Sequence, residues 1–173
     1  LGSFRYALAG EFAATSDVIR RLRPTRGWGL EVATLGDAFD TAGVSGTAQV
    51  DLGIHEHDHR SVGGSAGLGD MSREVGSALF RVVEEGGVAP DYETLPRRYR
   101  EAAHQAIDQY AADAGFNGLT YDPVAEREQV DTYAQAVGPP GEDRRLPAWA
   151  DAPVDAATIR SLSAAAIDEA TES

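Results

Sequence analysis

His55, His57 and His59 alternate along the run Ile54-His55-Glu56-His57-Asp58-His59-Arg60 and are three of the four histidines in the chain. Imidazole is a favoured ligand for divalent transition metals and titrates near neutral pH. The preceding run, Thr47-Ala48-Gln49-Val50-Asp51-Leu52-Gly53, reads as a β-strand. If the strand persists, the three histidines share one face while Glu56 and Asp58 share the other. Alternate histidines plus one further ligand suit a tetrahedral zinc site with an open water position. A self-contained zinc hydrolase is therefore one alternative. The opposing reading is a solvated polar strand end that does no chemistry.

The spacing argues against the hydrolase. The His-x-His-x-Asp-His pattern of metallo-β-lactamases is only superficially close, because here Asp58 falls at the third position after His55 and His59 at the fourth. Two further segments carry candidate chemistry. Leu8-Ala9-Gly10-Glu11-Phe12-Ala13-Ala14-Thr15 is a small-residue turn with one acid, and Gly27-Trp28-Gly29-Leu30-Glu31 sets an aromatic and a carboxylate at a glycine-flanked helix start. Glycine lets backbone approach a ligand closely, and a helix N-terminus offers free N–H groups to anions. Glu31 also has a plainer reason to be there, since carboxylates favour the positive end of the helix dipole.

The elements that would position these residues are mostly helical. Phe4 to Gly10 reads as a short strand or extended segment. Ser16-Asp17 reads as the cap of a short helix through Arg23, with Pro24 as its stop. A helix follows over about 30–42, its apolar positions Leu30, Ala33, Thr34, Ala38 and Phe39 near helical spacing. Gly43 to Gly46 breaks it before the strand at 47–54. Residues 60–70 read as a glycine-rich loop, a lid over a site or a linker. Helices are then expected over about 70–86, 93–114, 123–137 and 154–170. In the second of these, Leu95, Tyr99, Ala102, Ala106, Tyr110 and Ala111 repeat as a core or dimer stripe. Pro139-Pro140-Gly141, Pro147 and Pro153 punctuate an arm expected to pack over the body.

Composition narrows the function classes. The 173 residues suit one domain, with no cysteine for disulfides, thiolate ligands or a cysteine nucleophile. Fifteen basic residues, all arginine, face 28 acids for a net charge of -13. Such a chain repels phosphate backbones and anionic membranes, which disfavours nucleic-acid binding. No apolar run approaches the ~20 residues of a membrane span and no signal-peptide pattern occurs, so a cytoplasmic location is expected. Abundant carboxylates without lysine resemble the proteins of halophilic archaea, in which surface acids hold water and counterions.

Three ordered motifs point further. Gly10-Glu11-Phe12-Ala13-Ala14-Thr15, Gly27-Trp28-Gly29-Leu30-Glu31 and Ala48-Gln49-Val50-Asp51-Leu52-Gly53-Ile54-x-x-His57 occur in that order. Together they resemble the C-terminal half of glucosyl-3-phosphoglycerate synthases, retaining GT-A-fold glycosyltransferases akin to mannosylglycerate synthase. The resemblance covers residues 6 to about 60. It implies an α/β architecture, the C-terminal portion of a GT-A fold with few short strands followed by a mainly helical region. Residues 1–65 would form the acceptor and metal-site half of the catalytic domain, and 66–173 a helical region and tail for packing and oligomerisation. His57 aligns with the family's ligand to Mg²⁺ or Mn²⁺. Glu31 aligns with its acceptor-site glutamate, the catalytic candidate, and Trp28 with a tyrosine beside it. Gly27, Trp28 and Gly29 would shape the acceptor pocket, and His59 with Arg60 would grip the acceptor's anion. His55 replaces an arginine and His59 an asparagine, so the acceptor need not be 3-phosphoglycerate itself. The partners implied are a nucleotide-sugar donor, a small anionic acceptor and a second copy in a homodimer. No Asp-x-Asp motif for the metal and no N-terminal βαβ unit for the nucleotide occur, and the chain begins at Leu1. It therefore reads as part of a longer enzyme, inactive alone. The alternative from another class is a non-catalytic helical assembly or binding domain.

Overall fold

The computed structural model describes Phe4, residues 11–51, Gly53 and residues 64–171. Among them there is no strand. Six α-helices follow one another: α1 (Ser16–Arg21), α2 (Leu30–Ala42), α3 (Gly64–Glu85), α4 (Leu95–Asn117), α5 (Pro123–Ala134) and α6 (Ala156–Thr171), with a 3-10 turn at Trp149–Asp151. The α/β, GT-A-type architecture expected from the sequence is thus not what the described residues form, and the strand expected at 47–54 does not form over 47–51, while Leu52 and Ile54 lie outside the described residues. Thr47 turns its hydroxyl back onto the Gly43 carbonyl at 2.7 Å, and Asp51 accepts the Gly53 N–H at 2.8 Å in a tight local turn. Gly53 has φ +76° and Val50 is 73% exposed, and among the described residues no strand flanks this stretch to complete a ladder. The expected strand at 4–10 lies outside the described residues except for Phe4, whose ring meets Phe39 edge-on at 6.1 Å.

The expected glycine-rich loop at 60–70 is also revised. From Gly64 onward it is the first turns of α3, while 60–63 lie outside the described residues. Each glycine costs a helix roughly 1 kcal/mol against alanine. Packing outweighs that cost, because α3 lies against both α2 and α5 and Gly69 is buried near Thr132. The small residues permit close approach: the side chain of Val82 on α3 occupies the place where a Cβ on Gly36 of α2 would stand.

The other helices match the sequence reading more closely. α2 runs over the expected span, capped at its end by Gly43 with φ +67°. Its buried face is Ala33, Leu35, Gly36 and Asp37, so the expected stripe misses Asp37 and includes Leu30, which is 44% exposed. α1 starts with Thr15 at the cap position rather than a Ser16-Asp17 cap, and no side chain caps it. Asp122 caps α5 by accepting from the N–H groups of Val124 and Ala125, with Pro123 in the first turn. Arg100 of α4 lies 3.4 Å from Asp131, and Arg127 donates to Asp108, which sets α4 and α5 antiparallel. Their seam buries Ile107, Ala114, Val130 and Ala134, whereas Ala102 and Tyr110 of the expected stripe face outward. The expected arm does cross the body: Leu146 donates its N–H to the Pro24 carbonyl at 2.9 Å, Ala148 is buried, and the 3-10 turn lies against α1. Among the described residues α6 packs against no other element, and its residues are exposed apart from Ile159, which is partly covered. No helix of the described residues is long and apolar enough to cross a membrane.

Candidate functional site

The turn that enters α2 gathers four of the residues singled out by sequence. Gly29 occupies the cap position, Leu30 donates its N–H to the Gly27 carbonyl at 3.3 Å, and Ala33 donates to the Gly29 carbonyl at 3.0 Å. The turn is held from outside by Glu74 of α3, whose carboxylate accepts the Trp28 N–H at 2.7 Å. Both glycines are needed for this fit. Gly27 has φ +86°, a conformation L side chains rarely adopt, and the Glu74 carboxylate fills the place of its missing Cβ. A Cβ on Gly29 would stand 2.8 Å from the Ala78 Cβ and 2.9 Å from the Glu74 carbonyl. Backbone and α3 therefore meet too closely for any other residue. Trp28 is 54% exposed and Glu31 is exposed one turn further on, so an aromatic surface and a carboxylate stand free beside a rigid turn.

Adjoining the turn is a groove of about 790 Å³, lined among others by Thr25, Arg26, Gly27, Arg73, Glu74 and Arg81. Its walls are α3 and the arm at 141–146, where Arg81 donates to the Gly141 carbonyl. Five arginines and three carboxylates line it, an excess of positive charge in a chain whose net charge is -13. Trp28 and Glu31 are not in its lining.

Continuous with the groove, whose lining includes Asp143 and Arg145, lies an ion network that sequence reasoning missed. Asp37, only 5% exposed, accepts from the Arg23 N–H and from the Arg23 guanidinium, both at 2.7 Å. Arg145, whose side chain is 6% exposed, reaches Glu85 through Nη1 at 3.0 Å and Nη2 at 2.5 Å, and Asp143 through Nε at 3.0 Å. Arg23 bridges to Glu85 at 3.2 Å. The hydrogen bonds from Arg145 hold the Glu85 and Asp143 carboxyls below the ordinary carboxylate range, and the hydrogen bond to Asp37 raises Arg23. These charges satisfy one another, so the network clamps the arm to α2 and α3 rather than offering free groups for chemistry. Nothing in the sequence marked Asp37, Glu74 or Arg145 among so many charges, because only the packing of three segments brings them together.

Gly27, Trp28, Gly29 and Glu31 are thus together on one turn. The candidate metal ligand His57, the anion-gripping pair His59 and Arg60, and the neighbouring His55 lie outside the described residues. Among the described residues no three histidine, aspartate or glutamate side chains gather to hold a metal ion.

No family model matches the chain, and no solved structure matches it. Among curated proteins it is similar to the glucosyl-3-phosphoglycerate synthase of Methanococcoides burtonii, with 36% identity over 149 residues, covering 83% of this chain and 37% of that protein. The glucosyl-3-phosphoglycerate synthase of Persephonella marina is 36% identical over 143 residues, 79% of this chain and 36% of that protein. That of Mycolicibacterium paratuberculosis is 40% identical over 80 residues, 46% of this chain and 23% of that protein. The chain spans 36–37% of the length of the first two of these relatives.

Proposed function

We propose, from the homology of most of this chain with a segment of glucosyl-3-phosphoglycerate synthases, that it forms the acceptor side of a nucleotide-sugar-dependent glycosyltransferase. The full enzyme would move a hexose to a small anionic acceptor resembling 3-phosphoglycerate. The observation that carries this reading is the Glu74-braced turn, which leaves Trp28 and Glu31 exposed beside a fixed glycine backbone. That arrangement suits a hydroxylated acceptor: the indole offers a face for the carbon skeleton, and Glu31 accepts a hydroxyl hydrogen bond. His59 and Arg60 would meet the acceptor's anionic group, and Gly27 and Gly29 allow its approach to backbone.

In the reaction, the bond from the sugar's anomeric carbon to the nucleotide diphosphate breaks and one to the acceptor oxygen forms on the same face. The acceptor proton passes to the departing phosphate, so no protein nucleophile is required. His57 would be one ligand of a Mg²⁺ or Mn²⁺ ion, which when bound offsets the charge that develops on the leaving diphosphate. The sequence has no Asp-x-Asp pair, so on this reading the segment alone does not catalyse transfer. The test is an assay of the complete polypeptide with Mg²⁺ or Mn²⁺, a set of nucleotide hexoses, and 3-phosphoglycerate or glycerate as acceptor. Transfer that is lost in Glu31→Ala and in His57→Ala is expected. Failure to transfer from any nucleotide sugar would refute the reading.

A further inference from the structure

Glu74 lies on α3, outside all three sequence motifs, yet it supplies the side-chain contact to the turn backbone at Trp28. Its carboxylate fills the space that the missing Cβ of Gly27 leaves, and its own carbonyl abuts Gly29. Helix α3 begins at Gly64, five residues after His59. At 1.5 Å per residue, Glu74 stands about 15 Å along it, and from there it meets the turn that bears Trp28 and Glu31. We propose that Glu74 is a positioning residue of the acceptor turn: it fixes the backbone at Trp28, and thereby the direction from which Trp28 and Glu31 meet an anionic, hydroxylated acceptor. This rests on the functional reading given above and extends it to a residue that touches no substrate.

The test compares Glu74→Ala with Glu74→Gln in the complete polypeptide, since the glutamine carbonyl still accepts the Trp28 N–H. Two readouts are taken, hydrogen exchange at the Trp28 amide and steady-state kinetics with the acceptor varied. Glu74→Ala is expected to speed exchange at Trp28 by about tenfold or more and to raise the acceptor KM by about tenfold, with kcat changed much less. Glu74→Gln is expected to restore both. Unchanged exchange and unchanged KM in Glu74→Ala would overturn the proposal, as would a Glu74→Gln protein that behaves like the alanine variant. An equal fall in kcat with KM unaltered would also overturn it. A wild-type protein that transfers no sugar would refute the functional reading and with it the acceptor role. The exchange measurement would then still decide whether Glu74 holds the turn.

Discussion

Truncating Asp37 tests whether the ion network carries the attachment of the arm. Asp37→Ala removes two 2.7 Å hydrogen bonds and leaves the Arg23 N–H without its acceptor. An uncompensated buried donor costs about 1–3 kcal/mol. The Arg23 side chain is 39% exposed and can turn to water, so the loss of its ion pair adds little. Arg145 is different: at 6% exposure it cannot rehydrate, but it keeps Glu85 and Asp143 as partners when Asp37, 3.7 Å away, is gone. The total is therefore about 1–3 kcal/mol, most of it from the Arg23 N–H left without an acceptor. Asp37→Asn keeps a carbonyl for the Arg23 N–H and loses only the charge, so it should cost less than half as much. Urea unfolding followed by circular dichroism at 222 nm measures both variants. A loss below ~0.5 kcal/mol in Asp37→Ala, the size of an ordinary surface substitution, would refute the reasoning. An asparagine variant as unstable as the alanine would refute the assignment of the main cost to the backbone N–H.

Three further outcomes follow. Arg145 holds the Glu85 and Asp143 carboxyls below their ordinary values in the folded chain, so their stabilisation is complete above the unfolded carboxylate range near pH 4. It is lost as pH falls through the depressed folded values, and Arg145→Ala should flatten the acid limb of a stability–pH curve; an unchanged limb would count against the network. Gly27→Ala should cost about 2–3 kcal/mol, from the positive φ and from displacing Glu74 off the Trp28 N–H. A thermal midpoint equal to that of the parent would show that the turn is not fixed as described. With a net charge of -13, raising NaCl from about 0.1 to 1 M shortens the Debye length from ~10 to ~3 Å and should raise the melting temperature by relieving self-repulsion. A fall in melting temperature would mean that attractive pairs outweigh the net charge.

Helices whose signals are local were legible. Asp122 followed by Pro123 announces α5, and Gly43 ends α2 where the sequence places its stop. The strand at 47–54 was misread because alternation of apolar and polar residues says nothing about a neighbour, and a strand is stable only with one. The glycines at the start of α3 pull the other way: their low helix propensity is a local property, and packing against α2 and α5 decides against it. The turn at 27–31 was legible as a local feature because its glycines, aromatic and acid are contiguous. Glu74 was not, since its role depends on the register of α3 against α2, 46 residues away in sequence. Asp37 was hidden for a related reason, a charged residue on the buried face of a helix being the exception that patterning cannot foresee.

That register explains why an acidic helix matters to this chain beyond solubility. Glu74, Ala78, Arg81 and Glu85 recur at intervals of four, three and four residues, which places them along one face of α3. Composition alone would assign that charged face to solvent. Instead Glu74 braces the turn at 27–29, Ala78 admits Gly29, Arg81 clamps the arm at Gly141, and Glu85 receives both Arg23 and Arg145. The demand for arginine here is geometric as well as compositional. Arg145 binds Glu85 through two terminal nitrogens while Nε serves Asp143, a planar fork that the single ammonium of lysine cannot reproduce. The lack of lysine is thus a whole-chain trait that coincides, at position 145, with a local necessity. One polar stripe of α3 thus holds both the arm and the turn.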